Sequence, residues 1–120
     1  MITHLTDFPD SVIAVRCTSR VTKEDYDSVL VPAVQEVLRT HENARVYYEI
    51  DDGFTGFEPG AMWEDLKVGL GHFSRWDRIA IVTDIEWIKA AVRFFAFLFP
   101  ATTRLFSRAE AAQARAWISA

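Results

Sequence analysis

Residues 87–99 constrain the fold most, because as a helix they would be apolar around far more than half of the circumference. At about 100° per residue, Glu86, Lys89 and Arg93 share a polar strip only roughly 60° wide. A helix that covers one face of a sheet usually shows an apolar stripe a little over ~100° wide. The excess apolar surface therefore needs a second cover, which can be another helix, a protein partner, a ligand or a bilayer surface.

The first part of the chain alternates between strand-forming and helix-forming patterns. Two β-prone runs, at residues 2–5 and 12–17, flank a turn-rich sequence and predict an N-terminal hairpin. Thr22 and Asp25 form a capping-box pattern, after which apolar residues recur at helical spacing. Pro32 lies on the predicted solvent side of this helix, where its missing N–H should kink or break the helix.

The second part of the chain continues this alternation. Mostly apolar runs at residues 45–50 and 78–83 predict central, parallel strands that are covered on both faces. Helices are predicted at about residues 60–73 and 84–99, and a last strand at residues 102–106.

Capping patterns mark the starts of the last two helices. Asp84 is predicted to cap the Phe-rich helix, and Ser107 with Glu110 a final Ala-rich helix. The element order is therefore ββαβαβαβα. It predicts a single α/β domain over residues 1–120, with helices on both faces of a mostly parallel central sheet.

Composition indicates a cytoplasmic protein. Cys17 is the single cysteine, so the chain has no disulfide framework and a reducing compartment is expected. The sequence shows no secretory leader, and its longest uninterrupted apolar run, residues 94–101, is far below the ~20 residues of a spanning helix. Membrane association, if it occurs, is therefore expected to be peripheral.

The net charge of −4 conceals an asymmetry along the chain. Residues 1–66 carry 5 basic and 13 acidic groups, a net charge of −8, whereas residues 67–120 carry 8 and 4, a net charge of +4. An acidic chain without a clustered Lys/Arg stripe argues against a nucleic-acid partner. The positive second part contains the Phe-rich helix, and this combination favours an anionic membrane surface as partner.

Few residues are candidates for catalysis or metal binding. Asp51, Asp52 and Asp84 follow parallel strands, where three carboxylates could hold Mg²⁺ for an enzymatic reaction. Alternatively, Asp84 is a helix cap and the other two aspartates form a turn. The three histidines share no metal-ligand spacing, and the chain has no nucleophile-elbow sequence. We therefore expect no catalytic residue, metal or cofactor.

The candidate binding surface is largely aromatic. Phe54 and Phe57 lie in a glycine-bearing loop, where they either fold back over the core or remain as an exposed patch. The helix at residues 60–73 can pack on the Phe-rich helix, or the two can enclose a lipophilic ligand or separate at a membrane. The ligand- or membrane-contacting candidates are Phe54, Phe57, Met62, Trp63, Leu66, Trp87, Phe94, Phe97 and Leu98, with Lys89 and Arg93 as headgroup contacts.

Several short motifs between residues 56 and 87, together with an element order that spans nearly the whole chain, resemble one protein family. They are Gly56-Phe57, Ala61-Met62-Trp63, Lys67-x-Gly69 and Ile79-Ala-Ile-Val-Thr-Asp84-x-x-Trp87. With the element order, they resemble the SpoIIAA-like family, whose STAS-type fold is related in shape to CRAL-TRIO lipid-binding domains.

The resemblance implies a non-catalytic domain that acts through a protein partner or binds a small or lipophilic molecule. Sporulation antagonists of this fold carry a phosphorylatable serine after a central strand, whereas this chain has Thr55 as the nearest hydroxyl, so no phosphorylation switch is expected. We predict a non-enzymatic binding module for a lipophilic ligand or a membrane surface. The alternative is an interaction domain with a homodimer or regulatory-partner interface.

Overall fold

A central sheet determines where the helices of the fold lie. The computed structural model describes residues 1–60, 75–96 and 101–120. Its strands are β1 (Ile2–His4), β2 (Val12–Cys17), β3 (Arg20–Val21), β4 (Ala44–Ile50), β5 (Gly56–Phe57), β6 (Trp76–Val82) and β7 (Thr102–Phe106). Five of these strands form one sheet in the order β1-β2-β4-β6-β7, and β3 and β5 form a separate two-stranded sheet.

Strand pairing confirms the predicted hairpin and the predicted parallel centre of the sheet. β1 is antiparallel to β2, with Ile2 opposite Cys17, whereas β2, β4, β6 and β7 are mutually parallel. Val46 in β4 lies opposite Ile13 on one side and Ile79 on the other. The sequence analysis did not predict the β3–β5 pair, because two-residue strands leave no periodic signal.

The first helical segment changes its winding along its length. α1 (Lys23–Asp25) begins with the predicted capping box, in which the Thr22 hydroxyl accepts the Asp25 N–H at 3.2 Å. A π-helical turn, Tyr26–Leu30, then leads into α2 (Val31–Thr40), whose first turn contains the exposed Pro32. The expected kink or break is therefore a π turn, which accommodates the missing proline N–H while the helix continues.

The last two helices differ in how their starts are stabilised. A 3₁₀ turn, Arg108–Glu110, has the predicted capping box with Ser107 and leads into the final helix. At the Phe-rich helix, the Thr83 hydroxyl accepts the Ile85 N–H at 3.1 Å, whereas the Asp84 carboxylate accepts the Arg108 N–H at 3.1 Å. The observed bond of Asp84 thus belongs to the start of the following helical segment rather than to its own. We call the Phe-rich helix α3 (Glu86–Ala96) and the final helix α4 (Ala111–Ser119).

The sheet separates two hydrophobic cores. On one face, the helical segment from α1 to α2 and α3 cover the larger core, which includes Ile13, Leu30 and Ile88. On the other face, α4 covers a smaller core around Tyr47, inserting Ile118. The predicted placement of helices on both faces is therefore confirmed for the described helices.

Arginine side chains from the strands and loops bind the carboxyl ends of two helices. At α4, Arg45 donates to the carbonyl oxygens of Ile118 at 3.0 Å and of Ala120 at 2.9 Å, and Arg78 donates to that of Trp117 at 2.9 Å. At the end of α2, Arg75 donates to the carbonyls of Leu38, His41 and Glu42. A cation at this end of a helix satisfies orphan carbonyls and complements the helix dipole.

Candidate functional site

The loop between β4 and β5 is held in place by its own turn and by β3. Asp51 accepts the Gly53 N–H through its side chain at 2.7 Å and the Phe54 N–H through its carbonyl at 3.0 Å. Thr55 donates to the Ser19 carbonyl at 2.9 Å, just before the β3–β5 pairing begins. Gly56 has a φ of 137°, which side-chain-bearing residues rarely adopt, so glycine is needed for the chain to enter β5.

This anchored loop directs one of its aromatic residues into the larger core. Phe54 is 7% exposed and belongs to that core, whereas Phe57 is half-buried against it. The two rings contact edge to face with centroids 4.9 Å apart, and Phe54 stacks on Trp87 of α3 at 6.2 Å. Folding back, one of the two alternatives, is therefore the outcome for Phe54. The structure also brings Phe54, Phe57 and Trp87 into one aromatic cluster, a contact that the sequence analysis did not predict.

The outward face of α3 exposes a short apolar stripe. Trp87 is 56% exposed and Phe94 is 64% exposed, and Ala90 between them is also exposed. Their i, i+3, i+7 spacing places them on one side of the helix. Ile88 is buried and Val92 packs against the larger core on the other side. We call Trp87, Ala90 and Phe94 the α3 stripe.

The two predicted headgroup contacts differ in their surroundings. Arg93, beside Phe94 in sequence, is exposed. The side chain of Lys89 is only 22% exposed, and its ammonium lies 3.4 Å from the Glu86 carboxylate. Among the described residues, Arg93 is therefore the better-placed cation of the pair for contact with an external anion.

The remaining predicted site residues lie outside the described ranges. The predicted helix at about residues 60–73 falls largely outside the described ranges, and so does the end of the Phe-rich segment. The candidates concerned are Met62, Trp63, Leu66, Phe97 and Leu98. The proposed packing of that helix on α3 accordingly stays a prediction.

The three candidate magnesium ligands converge on an arginine. Arg108 lies 3.1 Å from the Asp52 carboxylate and 3.6 Å from that of Asp51, while its N–H bonds to Asp84. All three carboxylates lie at the carboxyl ends of the strands, but the Arg108 guanidinium faces Asp51 and Asp52, and its backbone N–H binds Asp84. Within the described ranges, no group of three or more His, Cys, Asp or Glu residues is arranged to hold a metal ion.

A buried polar network lies on the α4 side of the sheet. Glu49 is 8% exposed and receives hydrogen bonds from the Tyr47 hydroxyl at 3.0 Å and from Arg16. Burial, followed by the hydrogen bond and the negative charge of Glu49, raises the pKa of Tyr47 well above its usual range. The sequence analysis did not find this network, although the i, i+2 spacing of Tyr47 and Glu49 in a strand was a usable signal.

The comparisons with known proteins agree with this architecture. The model of the SpoIIAA-like family matches residues 12–119. The crystal structure of an uncharacterised protein of the DUF3478 family with a SpoIIAA-like fold, from Shewanella loihica PV-4, is similar with a TM-score of 0.76 and 25% identity over 98% of this chain and 92% of that chain. A search of curated proteins gives no match. None of the helices that the structure describes is both long and apolar enough to cross a membrane.

Proposed function

This chain belongs to the SpoIIAA-like family, and we propose that it is a non-enzymatic interaction module that contacts a regulatory protein partner through the α3 stripe. The observation that carries the proposal is the exposure of two large aromatic side chains, Trp87 and Phe94, one turn on either side of Ala90. Aromatic residues are enriched at protein interfaces relative to other surfaces. Such residues also supply a large share of binding energy.

The exposed area of the α3 stripe sets the free energy that a partner can gain by covering it. Burying a large aromatic side chain removes on the order of 150–250 Å² from water. Because more than half of Trp87 and of Phe94 is exposed, covering both removes on the order of 200 Å², or about 5 kcal/mol. This is a hot-spot contribution to an interface that must extend over neighbouring surface.

Trp87 is also pre-positioned for a contact. Its ring stacks on Phe54, which the anchored loop holds in the core. A rigid aromatic side chain loses little conformational freedom on binding, and this favours affinity. The rigidity of Trp87 thus supports the interaction proposal, whereas the Arg108 guanidinium between Asp51 and Asp52 gives little support to magnesium-dependent catalysis.

Site-specific photo-crosslinking tests the proposal. A photoreactive residue at Ala90 is expected to form an adduct with a specific protein in cells that naturally produce this chain, and Phe94→Glu is expected to remove that adduct. Phe94 is exposed, so the substitution should leave the fold intact. A photoreactive residue at Ala116, which is exposed on α4, is the matched control. Equal adducts at both positions would contradict the proposal.

Sedimentation distinguishes a homodimer from a separate partner. If the α3 stripe pairs with a second copy, the weight-average mass should rise with concentration and Phe94→Glu should abolish the rise. Ala116→Glu introduces the same charge on another exposed helix and should change nothing. A concentration-independent monomer would leave a different protein as the partner.

An anionic membrane surface or a lipophilic ligand is the second candidate. The exposure of Arg93 beside Phe94 favours it, since a cation next to an inserted aromatic is typical of interfacial helices. Flotation with phosphatidylcholine vesicles, with and without phosphatidylserine, tests this candidate. Binding that requires phosphatidylserine, falls with salt and is lost in Phe94→Glu would favour the membrane over the protein partner.

A further inference from the structure

A second surface, remote in sequence from α3, is concave and entirely described. A cleft of about 520 Å³ lies between the loop that joins β1 to β2 and the helical segment that leads into α2. A neighbouring cleft of about 570 Å³ shares Asp10, Glu36 and Val37 with it, so the two form one elongated groove along α2. We call this the hairpin groove.

The first cleft of the hairpin groove has a mainly apolar lining and an acidic rim, whereas the second cleft is lined mostly by polar residues. Leu5, Phe8, Val29 and Ala33 are partly exposed within the first cleft, which gives an incoming apolar side chain a surface to cover. The rim carries the exposed carboxylates of Asp7, Asp10 and Glu36. The Glu36 carboxylate also accepts hydrogen bonds from Arg39, but both side chains are 68% exposed, and such a surface pair is readily shared.

The rim is also built on an unusual backbone. Asp7 has a φ of 66°, in the left-handed region that few residues other than glycine, asparagine and aspartate tolerate. Phe8, which follows, contacts Tyr47, with ring centroids 4.9 Å apart, and the Arg115 guanidinium, 4.3 Å from its ring. The loop therefore presents its carboxylates from a fixed support.

We propose that the hairpin groove binds an extended segment of a partner protein whose apolar side chains are flanked by lysine or arginine. Charge complementarity identifies the occupant, because the rim offers three carboxylates and residues 1–66 carry a net charge of −8. The elongated shape, two adjoining clefts along one helix, suits a peptide strand. This surface is separate from the α3 stripe and does not depend on it.

A defined peptide tests the inference. The probe is a fluorescein-labelled peptide of alternating leucine and lysine, and its counterpart has glutamate in place of every lysine. When the protein is added, the fluorescence polarisation of the lysine peptide should rise, and this rise should be smaller at high salt. The polarisation of the glutamate peptide should not change. In NMR spectra, the amide shifts should map to the β1–β2 loop and α2 rather than to α3.

Matched variants localise the binding. Asp7→Asn with Asp10→Asn removes two rim charges, and asparagine keeps the left-handed conformation at position 7 accessible. This double substitution should weaken the affinity for the lysine peptide about fivefold, the effect of losing two exposed charge pairs of about 0.5 kcal/mol each. Asp52→Asn with Glu86→Gln removes the same charge from two exposed side chains that do not line the groove, and should leave affinity unchanged.

Two outcomes would overturn the inference. Equal weakening by both charge pairs would mean that the peptide responds only to net charge, and shifts that map elsewhere would place it on another surface. Phe94→Glu should leave peptide binding intact. The experiments can therefore refute the groove proposal without refuting the proposal for the α3 stripe, and the reverse also holds.

Discussion

Tyr47 is the side chain whose contribution to stability can be worked out most completely. It is fully buried, and its hydroxyl donates to the Glu49 carboxylate at 3.0 Å. Tyr47→Phe keeps the ring, including its contact with Phe8, and removes only that hydrogen bond. Because a hydrogen bond to a charged group contributes about 1.5–3 kcal/mol, we expect the free energy of unfolding to fall by about 2 kcal/mol at neutral pH.

Urea denaturation measures this change in the free energy of unfolding. The pH dependence of the change is a second, independent test. The pKa of Tyr47 is raised in the folded protein from an ordinary value of 10.0, so its contribution is complete below pH 10 and declines as pH rises above that value. Tyr47→Phe lacks this decline. The stability difference between the two proteins should therefore be constant up to about pH 10 and shrink above it.

A double-mutant cycle with Glu49→Gln assigns the effect to the pair. The coupling energy between the two substitutions should exceed about 0.5 kcal/mol, because the residues are in direct contact. A loss below about 0.5 kcal/mol in Tyr47→Phe, together with a stability difference that is unchanged above pH 10, would refute the reasoning.

Two further substitutions test the helix assignments by urea denaturation. Ser107→Ala removes the hydroxyl of the second capping box and should cost about 1 kcal/mol; Ala112→Ser, on an exposed site of α4, should cost only a few tenths. Ile118→Ala empties a fully buried position of the smaller core and should cost about 2–5 kcal/mol, whereas the exposed Ala116→Gly should cost about 1 kcal/mol. A smaller loss in Ile118→Ala than in Ala116→Gly would mean that α4 is not docked.

Local signals account for what the sequence predicted correctly. Apolar runs of strand length identified β4 and β6, because strands covered on both faces keep few polar residues. Side chains three residues apart identified both capping boxes, since each box closes within one helical turn. The resemblance to the SpoIIAA-like family was likewise recognised from short contiguous motifs and the element order, and the family model matches residues 12–119.

Contacts that depend on strand register could not be predicted in the same way. Arg16 reaches Glu49 because these two residues are opposite in the β2–β4 pairing, and nothing in either segment fixes that register alone. Arg108 reaches Asp51 and Asp52 from more than fifty positions away. The aspartates were recognised as a cluster from the sequence. Arg108 was not, because the only signal in its segment was the capping pattern of Ser107 and Glu110.

The contacts of the arginines weaken the case for a membrane partner that the charge asymmetry suggested. The positive second part of the chain suggested attraction to an anionic membrane, but most of its described cations face partners within the molecule. Arg75 and Arg78 bind helix carbonyls, Arg108 bridges aspartates of the acidic part, and Arg115 covers Phe8. A guanidinium held in such a contact keeps its charge but must share or give up that contact before it can bind a lipid headgroup. Binding to an anionic membrane would need available cations near the α3 stripe, whereas an apolar contact with a protein partner would not. The contacts of these arginines therefore favour a protein partner.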